Sequence, residues 1–255
     1  MSSRGPSPGQ LARHLRQQRE LSGPHLYLDR LTVEESLALA AEREAMPGPE
    51  SGEPSRPGAP AGGGETGADL PDADYESLKS QALSCRRCPL AETRTQVVFS
   101  DGNPRARLMV VGEAPGARED QTGKAFVGPA GKFLDLLLAS VDLSRERSVY
   151  ICNVLKCRPP GNRNPLPPEI EACTPYLRQQ IERIGPEALL AVGTFAAQFL
   201  TGSDLALGKI RGEVYSYQGV PVVVTYHPAA LLRNPGYLLP TWDDLQLLRQ
   251  VMDED

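Results

Sequence analysis

The run Leu108-Met-Val-Val-Gly-Glu-Ala-Pro-Gly-Ala-Arg-Glu-Asp120, continued by Lys124-Ala-Phe-Val-Gly-Pro-Ala-Gly131 and an apolar stretch over 133–138, decides the fold. Apolar residues that break at Gly112 and turn through Pro115 and Gly116 describe a buried strand ending in a sharp turn, with Glu113 on its rim. In an open α/β sheet that rim is where ligands bind. The two glycine-bearing loops then lead into a helix whose first turn offers free backbone N–H groups to an anion. The stretch marks a pocket close to phosphate.

Outward from it, the same reading places strands at 108–111, 149–154, 188–192 and 220–225. Helical spacing recurs near 131–141, 168–184, 195–200 and 241–252, and a further helix is expected over 75–83. Strands alternating with helices imply βαβ units and parallel strands covered on both faces. The expected fold is a three-layer α/β/α sandwich with a central, mainly parallel four-stranded sheet, one domain over 75–255.

The chain ahead of that domain is different in kind. Leucines and alanines at helical spacing among charges over 8–45 predict two short helices, an N-terminal extension spanning 1–45. Over 46–74, thirteen of twenty-nine residues are Gly or Pro, too little apolar surface to order itself, so this segment is expected to be a disordered linker. The extension is read most plainly as a weakly ordered appendage; docking on the main domain and recruitment of an unknown partner stay open. Net charge is −5, and all of the excess acid lies in the first 74 residues, which hold 7 basic and 12 acidic side chains against 20 of each in the rest. An electrically balanced domain can still bind nucleic acid where its cations cluster. No apolar run approaches the ~18 residues of a membrane span, and the opening Met-Ser-Ser-Arg-Gly-Pro lacks the apolar core of a secretory signal. A cytoplasmic protein that engages no membrane is expected.

Five cysteines occur, at 85, 88, 152, 157 and 173. An odd count in a cytosolic chain argues against a disulfide framework and for metal or catalysis. Cys85 and Cys88, two residues apart, can give two thiolates to one site, and Cys157 and Cys173 two more. Four thiolates suit zinc or an iron–sulfur cluster, and spacing alone does not choose between them. Cys152, inside an apolar strand, reads as core.

Four motifs complete the pattern: Gly112-Glu-Ala-Pro-Gly116; Phe126-Val-Gly128; Asn153-Val-Leu-Lys-Cys-Arg-Pro-Pro-Gly-Asn-Arg163; and His227-Pro-Ala-Ala-Leu-Leu-Arg233. With the four cysteines, in this order and spacing, they closely resemble the family 4 uracil-DNA glycosylases, which carry a [4Fe–4S] cluster. The resemblance covers roughly 78–252 and leaves the first 74 residues unexplained. It implies a monofunctional enzyme of base excision repair that flips uracil out of DNA, hydrolyses its N-glycosidic bond and leaves an abasic site. A monomer acting on uracil-containing DNA is expected.

Carried over residue by residue, the resemblance makes Cys85, Cys88, Cys157 and Cys173 the cluster ligands. Glu113 and His227 become catalytic, and Gly112, Phe126 and Asn153 line the base pocket. The chemistry is coherent. Cleavage passes through an oxocarbenium-like sugar while negative charge gathers towards the base O2. A neutral imidazole at His227 can donate to that oxygen in a dry pocket. The Asn153 carboxamide offers one donor and one acceptor, matching uracil O4 and N3–H, whereas cytosine presents a donor at C4. Phe126 is placed to stack on the extruded base. Glu113 orients or activates water, or stabilises the sugar cation, with Glu119 and Asp120 as further carboxylates that share the task or merely cap helices. Leu231, Leu232 and Arg233 are candidates for the wedge and phosphate clamp, and Arg86, Arg87, Lys156, Arg158 and Arg163 form basic loops around the cysteines.

Two readings from other classes compete. A zinc-ribbon-like DNA-binding module would leave Glu113, Asn153 and His227 without work. A relative that joins covalently to uracil-containing DNA through a histidine needs a further His-bearing basic loop, and the only histidines are 14, 25 and 227.

Overall fold

A computed structural model describes residues 74–253. The two helices expected over 8–45 and nearly all of the linker over 46–74 lie outside the described residues. Asp74 is the first described residue: its carboxylate accepts from the Ser77 backbone N–H at 2.9 Å, capping α1 (Tyr75–Leu83).

Six strands form one sheet in the order β1-β3-β2-β4-β6-β5. Its heart is four parallel strands: β2 (Leu108–Gly112), β3 (Val149–Asn153), β4 (Ala188–Val192) and β6 (Val220–Thr225). The four expected strands are these. Two short antiparallel strands extend the edges, β1 (Asp101–Gly102) beside β3 and β5 (Val214–Tyr217) beside β6. Between β5 and β6 the hairpin turns on Gln218 and Gly219, both with positive φ (51° and 86°). That geometry matches the right-handed twist of the strands it joins.

Alternation along each buried strand sorts the side chains into two cores. Leu108, Val110, Ile151, Leu190, Val192 and Val223 face one side, under α4 (Pro129–Ala139), α8 (Pro228–Arg233) and α9 (Leu238–Asp253), which contribute Leu137, Leu231 and Trp242. Met109, Val111, Cys152, Ala191 and Val224 face the other, under α5 (Pro167–Ile184), α6 (Thr194–Thr201) and α7 (Leu207–Ile210). Period two on strands and 3.6 on the covering helices together give the three layers.

A third, smaller core lies at the side of the sheet, where Leu78, Ala82, Leu90, Phe99, Leu155 and Tyr176 pack around Cys157 and Cys173. It joins α1 and α2 (Leu90–Thr93) to α5. Pro175 sits inside α5 without a backbone N–H, and the Glu171 carbonyl it leaves free accepts from the Thr174 hydroxyl at 3.3 Å. Among the described residues no helix is long and apolar enough to cross a membrane.

Candidate active site

The four parallel strands all end on one rim. From β2 the chain crosses to β3 on one side and then returns past β2 to β4 on the other, so the order reverses between β2 and β4. A crevice opens where it reverses. Gly112 and Glu113 stand at the end of β2, Asn153 at the end of β3, Gly193 after β4 and His227 after β6.

Gly112 is the floor of this crevice. A Cβ there would stand 2.6 Å from Phe126 Cζ and would overlap Asn153 Oδ1, so the aromatic ring and the carboxamide converge on the space its missing side chain leaves. Asn153 is 1% exposed, and its Oδ1 has no hydrogen-bond partner. Leaving a buried amide oxygen unpaired costs about 1–3 kcal/mol, so Oδ1 is an acceptor open to a partner. The Phe126 ring lies 5.5 Å from the His227 ring, inclined by 31°.

His227 does two jobs at once. Its Nδ1 accepts the Ala229 backbone N–H at 3.1 Å and so caps α8, whose first residue is Pro228. With Nδ1 an acceptor, the neutral ring carries its proton on Nε2. Burial, and after it the Arg233 cation, hold the imidazole pKa down to about 4 against the opposing Glu119, so the ring is neutral at physiological pH. Gly193, with φ +93°, lets the ring in: a Cβ there would be 3.2 Å from His227 Cβ and 3.6 Å from its Cδ2. Sequence reasoning missed Gly193, although it breaks an apolar strand just as Gly112 does.

Three carboxylates crowd the loop after β2, and the structure gives them different work. Glu113 is half-buried, and desolvation alone raises its pKa, the mark of a carboxylate without a compensating charge. Glu119, on α3 (Ala117–Thr122), accepts from the Val127 and Gly128 backbone N–H groups at 2.9 and 2.8 Å and so shapes the Phe126 loop. Asp120 is 4% exposed and accepts from the Thr95 N–H at 2.9 Å. Of the two roles left open for Glu119 and Asp120, the structure shows them holding loops through backbone N–H groups.

The four expected cysteine ligands come together. Cys85, Cys88, Cys157 and Cys173 line one pocket with Leu90, Leu155 and Tyr176, and Cys152 is not in that lining but lies in the core under α5, α6 and α7. None is in a disulfide. Sulfur is the only ligand type among Cys, His, Asp and Glu in that lining. Burial raises the Cys88 and Cys157 thiol pKa values and pushes Cys173 up to about 12, while the Arg94 and Lys156 cations oppose it at Cys157 and Cys173 respectively. Two N–H donors already point at sulfur: Arg94 Nη1 to Cys157 Sγ and Lys156 N to Cys173 Sγ, each 3.2 Å. Such donors favour thiolates bound to a metal. Among the described residues no three His, Cys, Asp or Glu side chains close on a single ion site. Four cysteines with no oxygen or nitrogen ligand beside them are a donor set that fits an iron–sulfur cluster.

The expected DNA-facing residues divide. Leu231, 3% exposed, packs in the core under α8 and cannot also be a wedge; Leu232 is 41% exposed and Arg233 is exposed beside it. Lys156 is corrected likewise, being 2% exposed with Nζ donating to the Asn153 carbonyl at 2.7 Å. Arg163 pairs with Glu169 at 2.9 Å and Arg158 donates to Asn162 Oδ1 at 2.8 Å, whereas Arg86 is exposed.

Residues 99–246 match the uracil DNA glycosylase superfamily. The chain is 46% identical over 168 residues to a type-4 uracil-DNA glycosylase of Archaeoglobus fulgidus, covering 63% of this chain and 84% of that protein. It is 45% identical over 161 residues to a type-4 enzyme of Thermotoga maritima, covering 62% and 83%. A type-5 uracil-DNA glycosylase of Pyrobaculum aerophilum is 34% identical over 197 residues, covering 64% and 86%.

Proposed function

This chain belongs to the uracil DNA glycosylase superfamily, and from that premise we propose which of its residues excise the base. It is a uracil-DNA glycosylase of DNA repair that acts on uracil-containing DNA and hydrolyses the N-glycosidic bond. The observation that carries the site assignment is the buried, partnerless Asn153 Oδ1 beside the Phe126 ring. Uracil stacked on Phe126 presents N3–H to that oxygen and O4 to the Asn153 amide, pairings that cytosine cannot complete. Gly112 leaves the room for both groups. His227 donates from Nε2 to uracil O2 as negative charge gathers there, without having to change its own protonation state. Glu113, its pKa raised by burial, faces the sugar side, where as a carboxylate it stabilises the cation or orients the attacking water.

Cys85, Cys88, Cys157 and Cys173 hold a [4Fe–4S] cluster. Its contribution is structural, cross-linking the 85–88 and 157 loops to α5 and so fixing the chain that leaves Asn153. Leu232 is the wedge and Arg233 the phosphate clamp, with Arg86 a second basic contact. The catalytic domain spans 75–255, the linker 46–74 and the extension 1–45; the enzyme is a cytoplasmic monomer, and the extension is the part free to bind a partner.

The test uses the full chain, purified anaerobically. Brown colour, a broad band near ~400 nm and alkali-labile strand breakage at uracil, lost in Asn153→Leu with the colour retained, support the assignment. A colourless, fully active protein with one stoichiometric zinc refutes the cluster; an Asn153→Leu enzyme with undiminished excision refutes the base pocket.

A further inference from the structure

Phe126 is held in a backbone conformation that it disfavours. Its φ is +53°, in the left-handed region that costs a residue with a side chain about 1–2 kcal/mol. Such strain persists only where the surroundings over-determine it. One side chain grips the peptide planes on both sides of Phe126. Arg145 Nη1 donates to the Ala125 carbonyl at 3.0 Å, and Nη2 donates to the Phe126 carbonyl at 2.8 Å. The guanidinium is itself fixed from behind. Nη1 meets Asp101 Oδ2 on β1 at 2.6 Å, and Nη2 meets Asp135 Oδ1 on α4 at 2.8 Å. Its side chain is 12% exposed, so these bonds are little diluted by water. At Gly131 the loop folds back so closely that a Cβ would overlap the Phe126 carbonyl.

We propose that Arg145 is a positioning residue for uracil excision: through the Ala125 and Phe126 carbonyls it sets the angle at which the Phe126 ring meets the base. This rests on the reading of Phe126 as the stacking platform. Arg145 touches no substrate. Only a planar fork with five N–H donors can serve two carbonyls and two carboxylates at once, and a lysine in its place would keep the charge but lose that geometry. Without the fork, Phe126 relaxes towards negative φ, and its ring leaves the space above Gly112.

A double-mutant cycle tests this in the full-length enzyme. Arg145→Lys keeps a cation between Asp101 and Asp135, and single-turnover uracil excision should fall about tenfold, within the range that a misplacement of about 1 Å produces. In the Phe126→Ala background, already slow, the same substitution should change excision by less than about twofold, because the ring it orients is gone. An equal fall in both backgrounds, as general destabilisation gives, overturns the proposal. Phe126→Ala with undiminished excision overturns instead the stacking reading beneath it. Should Arg145→Lys not fold, Asp135→Asn is read in the same cycle: Asp135 is 45% exposed, and its loss frees one side of the guanidinium. The pattern expected is the same and smaller in size, and additivity again refutes it.

Discussion

Replacing Gly112 by alanine isolates the steric logic of the pocket. The backbone accepts the change, because Gly112 is not among the residues with positive φ. The added Cβ would lie 2.6 and 2.7 Å from Phe126 Cζ and Cε2 and would overlap Asn153 Oδ1. Carbon atoms rest about 3.5–4.0 Å apart, so the overlap with the ring is on the order of 1 Å. Nor can the strand back away: Gly112 pairs in register with Asn153, and its carbonyl accepts from the Val154 N–H at 2.9 Å. If the strain is kept, it costs about 1–3 kcal/mol, which lowers Tm by roughly 2–4 °C per kcal/mol in a domain of this size. If it is relieved, the ring or the carboxamide moves by about 1 Å, and a shift of that size at a reacting centre costs on the order of 10²-fold. Single-turnover excision and thermal melting, measured together on Gly112→Ala, cover both routes. A variant with wild-type rate and wild-type Tm would show that nothing converges above Gly112, and the base pocket would have to be placed elsewhere.

Asn153→Asp keeps the shape but sets an acceptor against uracil O4, so excision should drop at least ~10-fold, 1.4 kcal/mol per decade, with weak release of cytosine; unchanged uracil rates would return Asn153 to the role of turn former. For pH, the raised pKa of Glu113 puts the acid limb of kcat/KM above the ordinary carboxylate range, a limb that should vanish in Glu113→Gln and survive in His227→Asn, because His227 stays neutral down to about 4. Stability should follow His227: its folded pKa is depressed, so the unfolded chain takes up that proton first as pH falls from about 6.5 towards 4, and urea midpoints should decline over that window less steeply in His227→Gln. The neighbouring leucines of α8 should separate cleanly, Leu232→Ala slowing excision from duplex DNA at constant Tm and Leu231→Ala costing about 2–4 kcal/mol of stability; the reverse pattern would exchange their roles.

How much of this was legible depends on what each residue answers to. The parallel strands could be read because burial on both faces turns 108–111 or 188–192 into unbroken apolar runs. The Val214–Tyr217 strand could not: it is a half-exposed edge, and its register comes from a turn with positive φ at Gln218, a residue that carries no strong turn signal. Spacing brought the four cysteines to one pocket, but it said nothing of Arg94, whose bond to Cys157 spans 63 residues. Glu113, Glu119 and Asp120 are one acidic cluster in the sequence, and only the backbone N–H groups around them separate a half-buried, uncompensated carboxylate from two loop anchors. Leu231 and Leu232 differ by one step of about 100° round a helix, enough to put one in the core and the other in solvent. Arg145 lies outside every motif because it meets the Phe126 loop through backbone carbonyls, which leave no trace in residue type.

These misses share a cause. Of the groups proposed to touch the base, Gly112, Glu113, Asn153 and His227 stand at strand ends, where the sheet fixes their position, and Phe126 stands in a loop; the groups that hold them are spread through turns and helices. Each touching group is left with a cost unmet in the free protein: Asn153 an orphaned acceptor, Phe126 a left-handed backbone, Glu113 a desolvated charge. A core optimised for stability would remove all three. Their persistence on one rim is the structural argument for the proposed site. A carboxamide, a ring and a carboxylate that each lack something on the same rim are completed together by a planar base with its sugar. The holding residues, by contrast, are engaged, Glu119 Oε1 by two amides and Arg145 by two carbonyls and two carboxylates. Saturated neighbours keep unsaturated ones from relaxing towards each other, and that division of labour preorganises the pocket before any base enters it.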